Sequence, residues 1–495
     1  MRNKKLNLVF WISLAITFVI VLLAILNNKS FINVANQVFL LCTQKFGWLY
    51  LLSMTFFVIF VSFLAFSKWG NIRLGEDNSK PEYSSISWFA MLFTAGMGVG
   101  LIFWGIAEPL SHYMAPDGAI EPGSIDAANF AIKSSFMHWG IHPWAGYAVV
   151  GLGLAYFQFR KGYPALVSSI SKSLSNDKKS TVLGNILDIL AVFATVAGVV
   201  TSLGLGVLQI NSGLNYLFKI PNNLSVQIVI IISISVIFIL SAVKGIDKGI
   251  KRLSNLNLLL ALAVLIMAIS IGPKLEMINN LVNGCGTYIS SFIKDSFLIH
   301  TYGNNSWIEN WRIFYWAWWI AWAPFVGIFI ARISKGRTIR EFIIGGVVVP
   351  SLGSIVWFAI FGTMGIDLAI NGKLSAQMLQ EIVQKPETGL FYVMEQYPFG
   401  MLLSLLIMIL LCIFFVTSAD SGVYVLSMLT SEGDLNPRNG KKILWGIMLI
   451  LMAIGLLIAG GLKPLQTISI AAAFPFIFVM YLICVALWKS LKQET

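Results

Sequence analysis

Four tryptophans lie within one short apolar segment, FYWAWWIAWA at residues 314–323. They are Trp316, Trp318, Trp319 and Trp322, and no acidic or basic side chain separates them. Indole is the side chain whose π-face attracts a cation best, and a cage of aromatic faces suits a quaternary ammonium group. The segment therefore indicates a site for an organic cation. An aromatic belt at a membrane surface, or a packed core, would also explain the tryptophans.

Two apolar stretches contain residues that disturb a helix. In the first, Gly96, Gly98 and Gly100 alternate, and glycine both weakens a helix and lets a ligand approach the backbone. In the second, Pro324 removes a backbone donor after the tryptophans, and Gly327 follows. Interrupted helices at corresponding positions of two halves are typical of the binding site of an inverted-repeat transporter. The glycine spacing also fits a close helix–helix contact, which is the alternative explanation.

A polar group interrupts the apolar segment FFVTSADSG at residues 414–422, where Thr417 and Ser418 are adjacent hydroxyls and Asp420 follows. Hydroxyl and carbonyl oxygens are the ligands that a sodium ion requires inside a transporter. Hydroxyls in a span commonly bond back to their own helix instead. The segment therefore has two explanations, an ion site and local hydrogen bonding.

Histidines and aromatic residues share the segment HWGIHPWAGY at residues 138–147. Trp144 and Tyr147 are three residues apart and therefore share a helix face. His138 and His142 have no carboxylate or cysteine nearby in sequence, so we expect structural hydrogen bonds rather than a proton relay or a metal site. The four cysteines are scattered without metal or disulfide spacing, and no nucleophile–base pair suggests an enzyme.

Long apolar runs place all these residues in a membrane. The chain has 495 residues, of which 57% are hydrophobic and only 11% charged. Runs of about 20 apolar residues match the thickness of a bilayer core. They predict an all-α membrane protein with twelve spans, centred near residues 18, 57, 96, 145, 196, 234, 263, 320, 353, 412, 452 and 476. Residues 274–308 and 373–396 are amphipathic, and the first of these is expected to be an interfacial helix.

The basic residues predict the orientation in the lipid bilayer. With the N-terminus in the cytoplasm, most of the 34 Lys and Arg residues fall in cytoplasmic loops and tails, which is the positive-inside pattern. Twelve spans then place both termini in the cytoplasm of a bacterial inner membrane. Because the net charge of +12 is spread over short loops, it indicates no nucleic-acid partner.

Four segments resemble the betaine/choline/carnitine transporter family: HWGIHPWAGY, GMGVGLIFWGIAEP, FYWAWWIAWAPFVGIFIARISKGRTIREF and FFVTSADSG. The similarity extends from the third span to the twelfth. It implies two leading helices and a five-plus-five inverted repeat of the LeuT type, usually as a homotrimer. Residues 1–70 would hold the tail and the leading helices, 71–272 the first repeat, and 273–495 the second repeat with the interfacial helix and a short tail.

The resemblance also implies an aromatic box for a trimethylammonium group. One wall corresponds to Trp139, Trp144 and Tyr147, and the other wall with the path beside it corresponds to Trp318, Trp319 and Trp322. Phe103 corresponds to an aromatic residue near the gate. We expect no Arg or Lys near either wall. Backbone N–H groups of Gly96, Gly98 and Gly100 are therefore expected to receive the carboxylate of the substrate.

Sodium is the coupling ion that the resemblance implies, and no other cofactor is expected. The site would use backbone carbonyls of Thr94, Met97 and Phe414 with the hydroxyls of Thr417 and Ser418. A second sodium would use Thr195 and the carbonyl of Phe325. Val199 stands where sodium-coupled betaine members have a second threonine, so we expect this site to be weak or empty. Ser202, on the same helix face, offers an alternative hydroxyl.

Gly100 bears on the substrate, because proton-coupled choline members tend to carry aspartate at the corresponding position. Sodium-independent carnitine exchangers have a fixed cation in the stretch matching Leu253–Leu262, which contains no Lys or Arg here. The sequence therefore predicts a carrier that imports glycine betaine, or a related trimethylammonium zwitterion, by sodium symport for osmoprotection. Choline or carnitine uptake, or sodium-independent carnitine-type exchange, are the alternatives. A channel would need a continuous pore and a receptor a signalling domain, and the sequence suggests neither.

Overall fold

The chain is helical throughout the part that the structure describes. The computed structural model describes residues 7–96, 98–174, 178–244 and 247–494. These residues form no β-strand, and one isolated antiparallel bridge joins Arg73 to Thr338. The all-helical fold class predicted from the sequence is therefore confirmed.

The α-helices are numbered in chain order. The first ten are α1 (Leu8–Leu26), α2 (Asn28–Leu40), α3 (Gly47–Phe66), α4 (Ser85–Gly96), α5 (Val99–Met114), α6 (Ile125–Trp139), α7 (Ile141–Ala155), α8 (Ser171–Leu174), α9 (Lys178–Phe218) and α10 (Leu224–Lys244). The others are α11 (Asp247–Ile271), α12 (Lys274–Ser296), α13 (Phe314–Ile333), α14 (Ile339–Ile370), α15 (Ala376–Gln384), α16 (Gly389–Glu395), α17 (Gly400–Leu429), α18 (Asn439–Ile458) and α19 (Leu462–Lys492).

Nine helices of the described residues are long and apolar enough to cross a membrane: α1, α3, α9, α10, α13, α14, α17, α18 and α19. A tenth span would combine α11 and α12, which meet at an angle of 111°. The spans predicted near residues 96 and 145 are each divided into two shorter helices, α4 with α5 and α6 with α7. The structure thus gives nine or ten candidate spans over this part of the chain, and twelve spans stay a prediction.

The glycine-rich third span is broken between α4 and α5, as its composition suggested. α4 ends at Gly96 and α5 begins at Val99, while Gly98 is extended with φ of −155° and ψ of −179°. Met97 and the side-chain surroundings of Thr94 and Gly96 lie outside the described residues. The break leaves the first N–H groups of α5 without partners inside the helix.

The prediction of an interrupted helix at Pro324 is wrong. α13 continues from Phe314 to Ile333 with Pro324 inside it. The irregular turn lies earlier, as a π-helix at Ile308–Ile313. Proline is tolerated within a span when neighbouring helices hold the turn in place, and α13 is buried along most of its length.

A second break, which we did not predict from the sequence, divides the fourth span. α6 ends at Trp139 and α7 begins at Ile141, with Gly140 between them at φ of −87° and ψ of −129°. A Cβ at Gly140 would lie 2.8 Å from the hydroxyl oxygen of Tyr288. Pro143 falls in the first turn of α7, where its missing N–H needs no partner. The glycine and the nearby proline were the available sequence signal.

The segment predicted as an interfacial helix, residues 274–308, is helical over α12 and largely irregular after it. Several apolar side chains of α12 are exposed, namely Leu275, Ile278, Val282, Ile289 and Ile293. An exposed apolar face and a sharp bend from the preceding helix are the features of a helix that lies along a membrane surface. The second amphipathic segment, residues 373–396, contains α15 and α16.

Helices α7 and α13, which carry most of the predicted aromatic box, cross at a pair of glycines. A Cβ on Gly327 would lie 2.9 Å from Cγ1 of Val150 and 3.0 Å from the backbone nitrogen of Gly151. Small residues let two spans approach this closely. The crossing therefore holds the two aromatic walls at short range.

Candidate functional site

A cavity lies beside the break in the third span, and its empty space, including the part open to solvent, is about 570 Å³. The residues singled out in the sequence that line it are Gly98, Gly100, Trp139, Trp144, Tyr147, Ser202, Trp318, Trp319, Trp322 and Ser418. The other lining residues are Val99, Leu101, Pro143, Val326 and Ser354. The structure thus brings both aromatic walls and the glycine segment together around one space.

The aromatic rings of the cavity face in different directions. Trp318 and Trp319 stack with centroids 4.7 Å apart and 14° between their planes. Trp139 meets Trp319 edge to face at 4.8 Å and 72°, and Trp144 stands at 85° to Tyr147 at 5.3 Å. Rings arranged at steep angles around one space can present several π-faces to a single cation.

Hydrogen bonds from the indole edges hold two of these rings in place. Trp319 donates its Nε1–H to the carbonyl of His138 at 2.8 Å, and Trp322 donates to the carbonyl of Gly198 at 2.8 Å. The polar edge of each ring is therefore satisfied by the protein. Its faces are left to pack against neighbouring rings or a ligand.

Gly100 has no room for a side chain. A Cβ at this position would lie 2.6 Å from Cη2 of Trp318 and 3.2 Å from Cη2 of Trp139. Gly98 differs, because no heavy atom of the described residues lies within 4 Å of the Cβ that a side chain there would have. The absence of a Cβ at Gly100 therefore lets two indoles close against the backbone of α5.

The start of α5 gives the cavity a region of positive potential. Gly98 precedes the helix, and no side chain among the described residues caps it. The N–H groups of Leu101 and Ile102 both point to the carbonyl of Gly98, at 3.1 and 3.5 Å. The earlier N–H groups of the helix have no such partner among the residues that the structure describes, and a helix N-terminus attracts an anionic group. The cavity thus joins aromatic faces to an anion-attracting backbone.

The residues predicted for the main sodium site are only partly described. Ser418 lines the cavity. The Thr417 hydroxyl donates to the carbonyls of Ile413 at 3.0 Å and Phe414 at 3.2 Å, so it makes the local bonds expected of a hydroxyl in a helix. Asn257, which we had not singled out, donates its Nδ2–H to Thr417 Oγ1 at 3.4 Å.

The structure gives local contacts for the residues predicted for a second sodium, and that site stays a prediction. Thr195 donates to the carbonyl of Ala191 at 2.7 Å. Val199 packs against α17, where a Cβ on Gly422 would lie 3.0 Å from Val199 Cγ1. The ring of Phe325 contacts that of Trp322 at 4.9 Å. Ser202, the alternative hydroxyl, lines the central cavity instead.

Phe103, predicted near the gate, is not among the described residues that line the cavity. It is buried in α5, and its ring contacts that of Trp104 at 4.8 Å. Trp104 in turn meets Trp311 at 5.4 Å and Tyr315 at 6.1 Å. Phe103 is therefore linked through Trp104 to the aromatic residues that precede and begin α13.

Sequence reasoning missed a buried polar cluster next to the box, centred on Glu108. His138 Nδ1 lies 2.7 Å from a carboxylate oxygen of Glu108, and His142 Nε2 lies 3.0 Å from Ser296 Oγ. The hydrogen-bonding role expected for both histidines is therefore confirmed. No Arg or Lys is among the described residues that line the cavity, as expected for the two walls. Arg312 belongs to the neighbouring cluster, where it donates to His138 Nε2 at 3.2 Å.

The sequence matches one transporter family along nearly its whole length. The family described as "BCCT, betaine/carnitine/choline family transporter" matches residues 8–495. The glycine betaine transporter OpuD of Bacillus subtilis (strain 168) is 48% identical over 493 residues, covering 99% of this chain and 95% of that protein. A probable glycine betaine transporter of Desulfitobacterium hafniense (strain Y51) is 44% identical over 497 residues, covering 99% of each. The osmo-independent choline transporter BetT1 of Acinetobacter baylyi (strain ATCC 33305 / BD413 / ADP1) is 39% identical over 459 residues, covering 91% of this chain and 87% of that protein. The chain therefore belongs to the betaine/carnitine/choline family of membrane transporters.

Proposed function

We propose that this protein imports glycine betaine, or a related trimethylammonium zwitterion, by sodium symport. The observation that carries the proposal is one cavity in which crossed indole faces lie next to the start of α5, which no side chain of the described residues caps. A zwitterion of this kind has a diffuse cation and a compact anion. The indole faces suit the cation, and the N-terminus of α5 suits the anion. The glycine betaine transporter OpuD of Bacillus subtilis, at 48% identity, and the probable glycine betaine transporter of Desulfitobacterium hafniense, at 44%, support the same substrate.

The strength of binding follows from the two ends of the substrate. Each cation–π contact contributes about 0.5–2 kcal/mol, so three or four reach several kcal/mol. Micromolar affinity corresponds to about −8 kcal/mol. The aromatic contacts therefore suffice only if the carboxylate is also satisfied, and the N–H groups at Val99 and Gly100 are the donors we assign to it.

Choline is the main competing substrate, since a relative at 39% identity carries that name. Choline has a neutral hydroxyl where betaine has a carboxylate, so it gains less from the helix N-terminus. An aspartate at position 100, as in proton-coupled choline members, would need room that Trp318 and Trp139 occupy here. Carnitine exchange is disfavoured, because Leu253–Leu262 contains no Lys or Arg.

Sodium coupling is supported by the oxygens around α17. Ser418 faces the cavity, and Thr417 lies next to it. The side-chain oxygen Oδ1 of Asn257 is buried and has no hydrogen-bond partner among the described residues, so it adds an acceptor near Thr417. We assign the coupling sodium to this region, with the carbonyls of Thr94, Met97 and Phe414 as further ligands.

We further propose that one sodium accompanies each substrate at ordinary sodium concentrations. Val199 offers no oxygen and packs on Gly422, so the partner that Thr195 would need is missing. A Hill coefficient for sodium near one supports this stoichiometry, and a rise towards two in Val199→Thr would locate the second site. A wild-type coefficient near two, with two charges moved per betaine, would contradict it.

The proposal includes an architecture and a location. Twelve spans would comprise two leading helices and an inverted repeat, divided into residues 71–272 and 273–495. The protein would form a homotrimer in the bacterial inner membrane with both termini in the cytoplasm, and its accumulated substrate would serve as an osmoprotectant. Single cysteines introduced at the two ends of the chain, and labelled from one side of the membrane with an impermeant reagent, test the orientation directly.

Substrate choice and carrier behaviour can be tested in one preparation of proteoliposomes. Excess unlabelled betaine should abolish uptake of labelled betaine, while equal concentrations of choline or carnitine should inhibit much less. Betaine loaded inside should accelerate uptake, because only a carrier shows counterflow. Equal inhibition by choline would favour the choline alternative, and uptake indifferent to internal betaine would favour a channel.

A further inference from the structure

Glu108 is a buried carboxylate that accepts hydrogen bonds from four side chains. It lies in α5 with no exposed surface. One oxygen accepts from His138 at 2.7 Å and from His112 at 3.3 Å. The other accepts from the indole of Trp139 at 2.8 Å and from the hydroxyl of Tyr315 at 2.5 Å. Of these donors, only Trp139 lines the substrate cavity.

Hydrogen bonds from Arg312 and Trp307 determine which ring nitrogen of His138 and of His112 carries the proton. Arg312 Nε donates to His138 Nε2 at 3.2 Å, so the proton of the neutral ring sits on Nδ1 and points to Glu108. Trp307 Nε1 donates to His112 Nδ1 at 3.2 Å, so the His112 proton sits on Nε2 and also points to Glu108. Neither ring can change tautomer without losing its hydrogen bond from Arg312 or from Trp307.

The cluster joins two buried charges of opposite sign through one imidazole. Arg312 is 1% exposed, and its Nη1 also donates to the carbonyl of Asp295 at 2.5 Å. A buried carboxylate is costly unless its oxygens are hydrogen-bonded, and here both oxygens accept two hydrogen bonds each, with the Arg312 charge on the far side of His138. Charge-assisted bonds of this kind are the stronger ones in proteins. Glu108 is therefore suited to hold its donors in fixed positions.

A metal ion is the other chemistry that these residues suggest. One ligand atom each from Glu108, His112 and His138 lies within 4.8 Å of the others. The histidine atoms that face Glu108 carry protons, however, and Arg312 adds a positive charge at His138. A metal would have to displace those protons beside a guanidinium, so the arrangement fits hydrogen bonding rather than metal binding.

We propose that Glu108 is a positioning residue that sets the orientation of the Trp139 wall of the substrate box. This inference rests on the proposed function for its meaning in transport, since Trp139 would contact the trimethylammonium group. The Trp139 ring meets Trp319 at 4.8 Å and Phe358 at 5.3 Å, and its N–H bond to Glu108 is its polar anchor. Glu108 thus acts on the substrate through Trp139.

Replacing Glu108 by glutamine changes one acceptor into a donor at constant shape. If the new NH₂ group faces the histidines, it meets N–H groups that Arg312 and Trp307 hold in place. If it faces the other side, the Tyr315 hydroxyl can rotate to accept, but the Trp139 indole cannot accept a hydrogen bond. The second orientation retains more bonds, so Glu108→Gln should displace Trp139.

A double-mutant cycle separates this role from a general structural one. Betaine affinity is measured by calorimetry on purified wild type, Glu108→Gln, Trp139→Phe and the double variant. Glu108→Gln should weaken binding about tenfold in the wild type and less than twofold in Trp139→Phe, which has no N–H to lose. The matched control is Trp319→Phe, whose indole bonds a backbone carbonyl instead, and there the tenfold effect should persist. A tenfold loss in all three backgrounds, or none in the wild type, would overturn the proposal.

A ligand-free measurement distinguishes failure of this inference from failure of the proposed function. In protein labelled with 5-fluorotryptophan, Glu108→Gln should shift the ¹⁹F resonance of Trp139 and leave that of Trp144 in place. An unmoved Trp139 resonance overturns the positioning role, whatever the substrate proves to be. If the wild type binds no betaine, the proposed function fails. The shift of the Trp139 ¹⁹F resonance in Glu108→Gln then still tests the positioning role of Glu108. If Glu108→Gln does not fold, Glu108→Asp retains the charge but shortens the reach, and the same shift is expected.

Discussion

A methyl group added at Gly100 is the smallest change that should disturb the aromatic box. The new Cβ of Gly100→Ala would lie 2.6 Å from Cη2 of Trp318 and 3.2 Å from Cη2 of Trp139. Carbon atoms in favourable contact are about 3.5–4.0 Å apart, so the nearer ring must move by about 1 Å. Trp318 has little freedom to move, because it stacks on Trp319 at 4.7 Å and on Phe314 at 5.6 Å.

The size of the effect follows from this overlap. Overpacking a closely packed interior typically costs about 1–3 kcal/mol. If the cost appears as displaced rings that no longer meet the cation, it corresponds to about 5-fold to 150-fold weaker binding. The same strain should lower the apparent melting temperature of the ligand-free protein. How this free-energy cost divides between weaker betaine binding and a lower melting temperature depends on how far the rings of Trp318 and Trp139 move.

The assay compares Gly100→Ala with alanine at glycines that have free space. Gly98→Ala is the control for melting, since its Cβ meets no heavy atom of the described residues within 4 Å. Gly286→Ala, on the exposed face of α12, is the control for betaine affinity measured by calorimetry. Gly100→Ala should melt earlier and bind at least fivefold more weakly. The reasoning is refuted if it matches the controls in both measurements.

Three further outcomes are expected. Trp319→Ala should weaken betaine binding about tenfold, since it removes a contact of about 1–2 kcal/mol, and Trp319→Phe should retain part of the affinity. If calorimetry finds normal betaine binding in Trp319→Ala, the aromatic cage lies elsewhere. The double variant Thr417→Ala with Ser418→Ala should raise the sodium concentration for half-maximal uptake several-fold, with a smaller effect on betaine binding at saturating sodium. Unchanged sodium dependence would exclude these hydroxyls from the ion site. Hydrogen bonds from Arg160 lower the pKa of the Glu494 carboxyl to about 2, so its contribution to stability is present above about pH 4.5 and is lost as the pH falls towards 2. The melting temperatures of wild type and Glu494→Gln should therefore differ at pH 7 and converge as the pH falls from about 4.5 towards 2, and a difference that does not shrink over that range would contradict this assignment.

The composition of the cavity could be predicted from local sequence, because its members carry their chemistry in short motifs. The tryptophans of α13 and the pair Trp144 and Tyr147 were recognisable from residue type and spacing alone. Resemblance to a family then indicated that the two groups face each other. The break near Gly98 was also predictable, since alternating glycines disfavour a continuous helix.

The contacts that depend on tertiary packing could not be read from spacing. Glu108 and His138 are 30 residues apart, and Arg312 reaches His138 from a third segment. Their proximity results from how α5, α6 and the turn before α13 pack together. Pro324 misled the prediction for a related reason, because burial among neighbouring helices supports a helix that proline would weaken in isolation.

Uptake of labelled glycine betaine into proteoliposomes, with and without an inward sodium gradient, tests the central claim most directly. We expect concentrative betaine uptake that requires the sodium gradient and that an equal potassium gradient does not support. Trp139→Ala should abolish or strongly reduce this uptake while the protein still folds. Betaine accumulation of equal rate and extent without sodium, or no betaine transport by the folded protein, would contradict sodium-coupled betaine import.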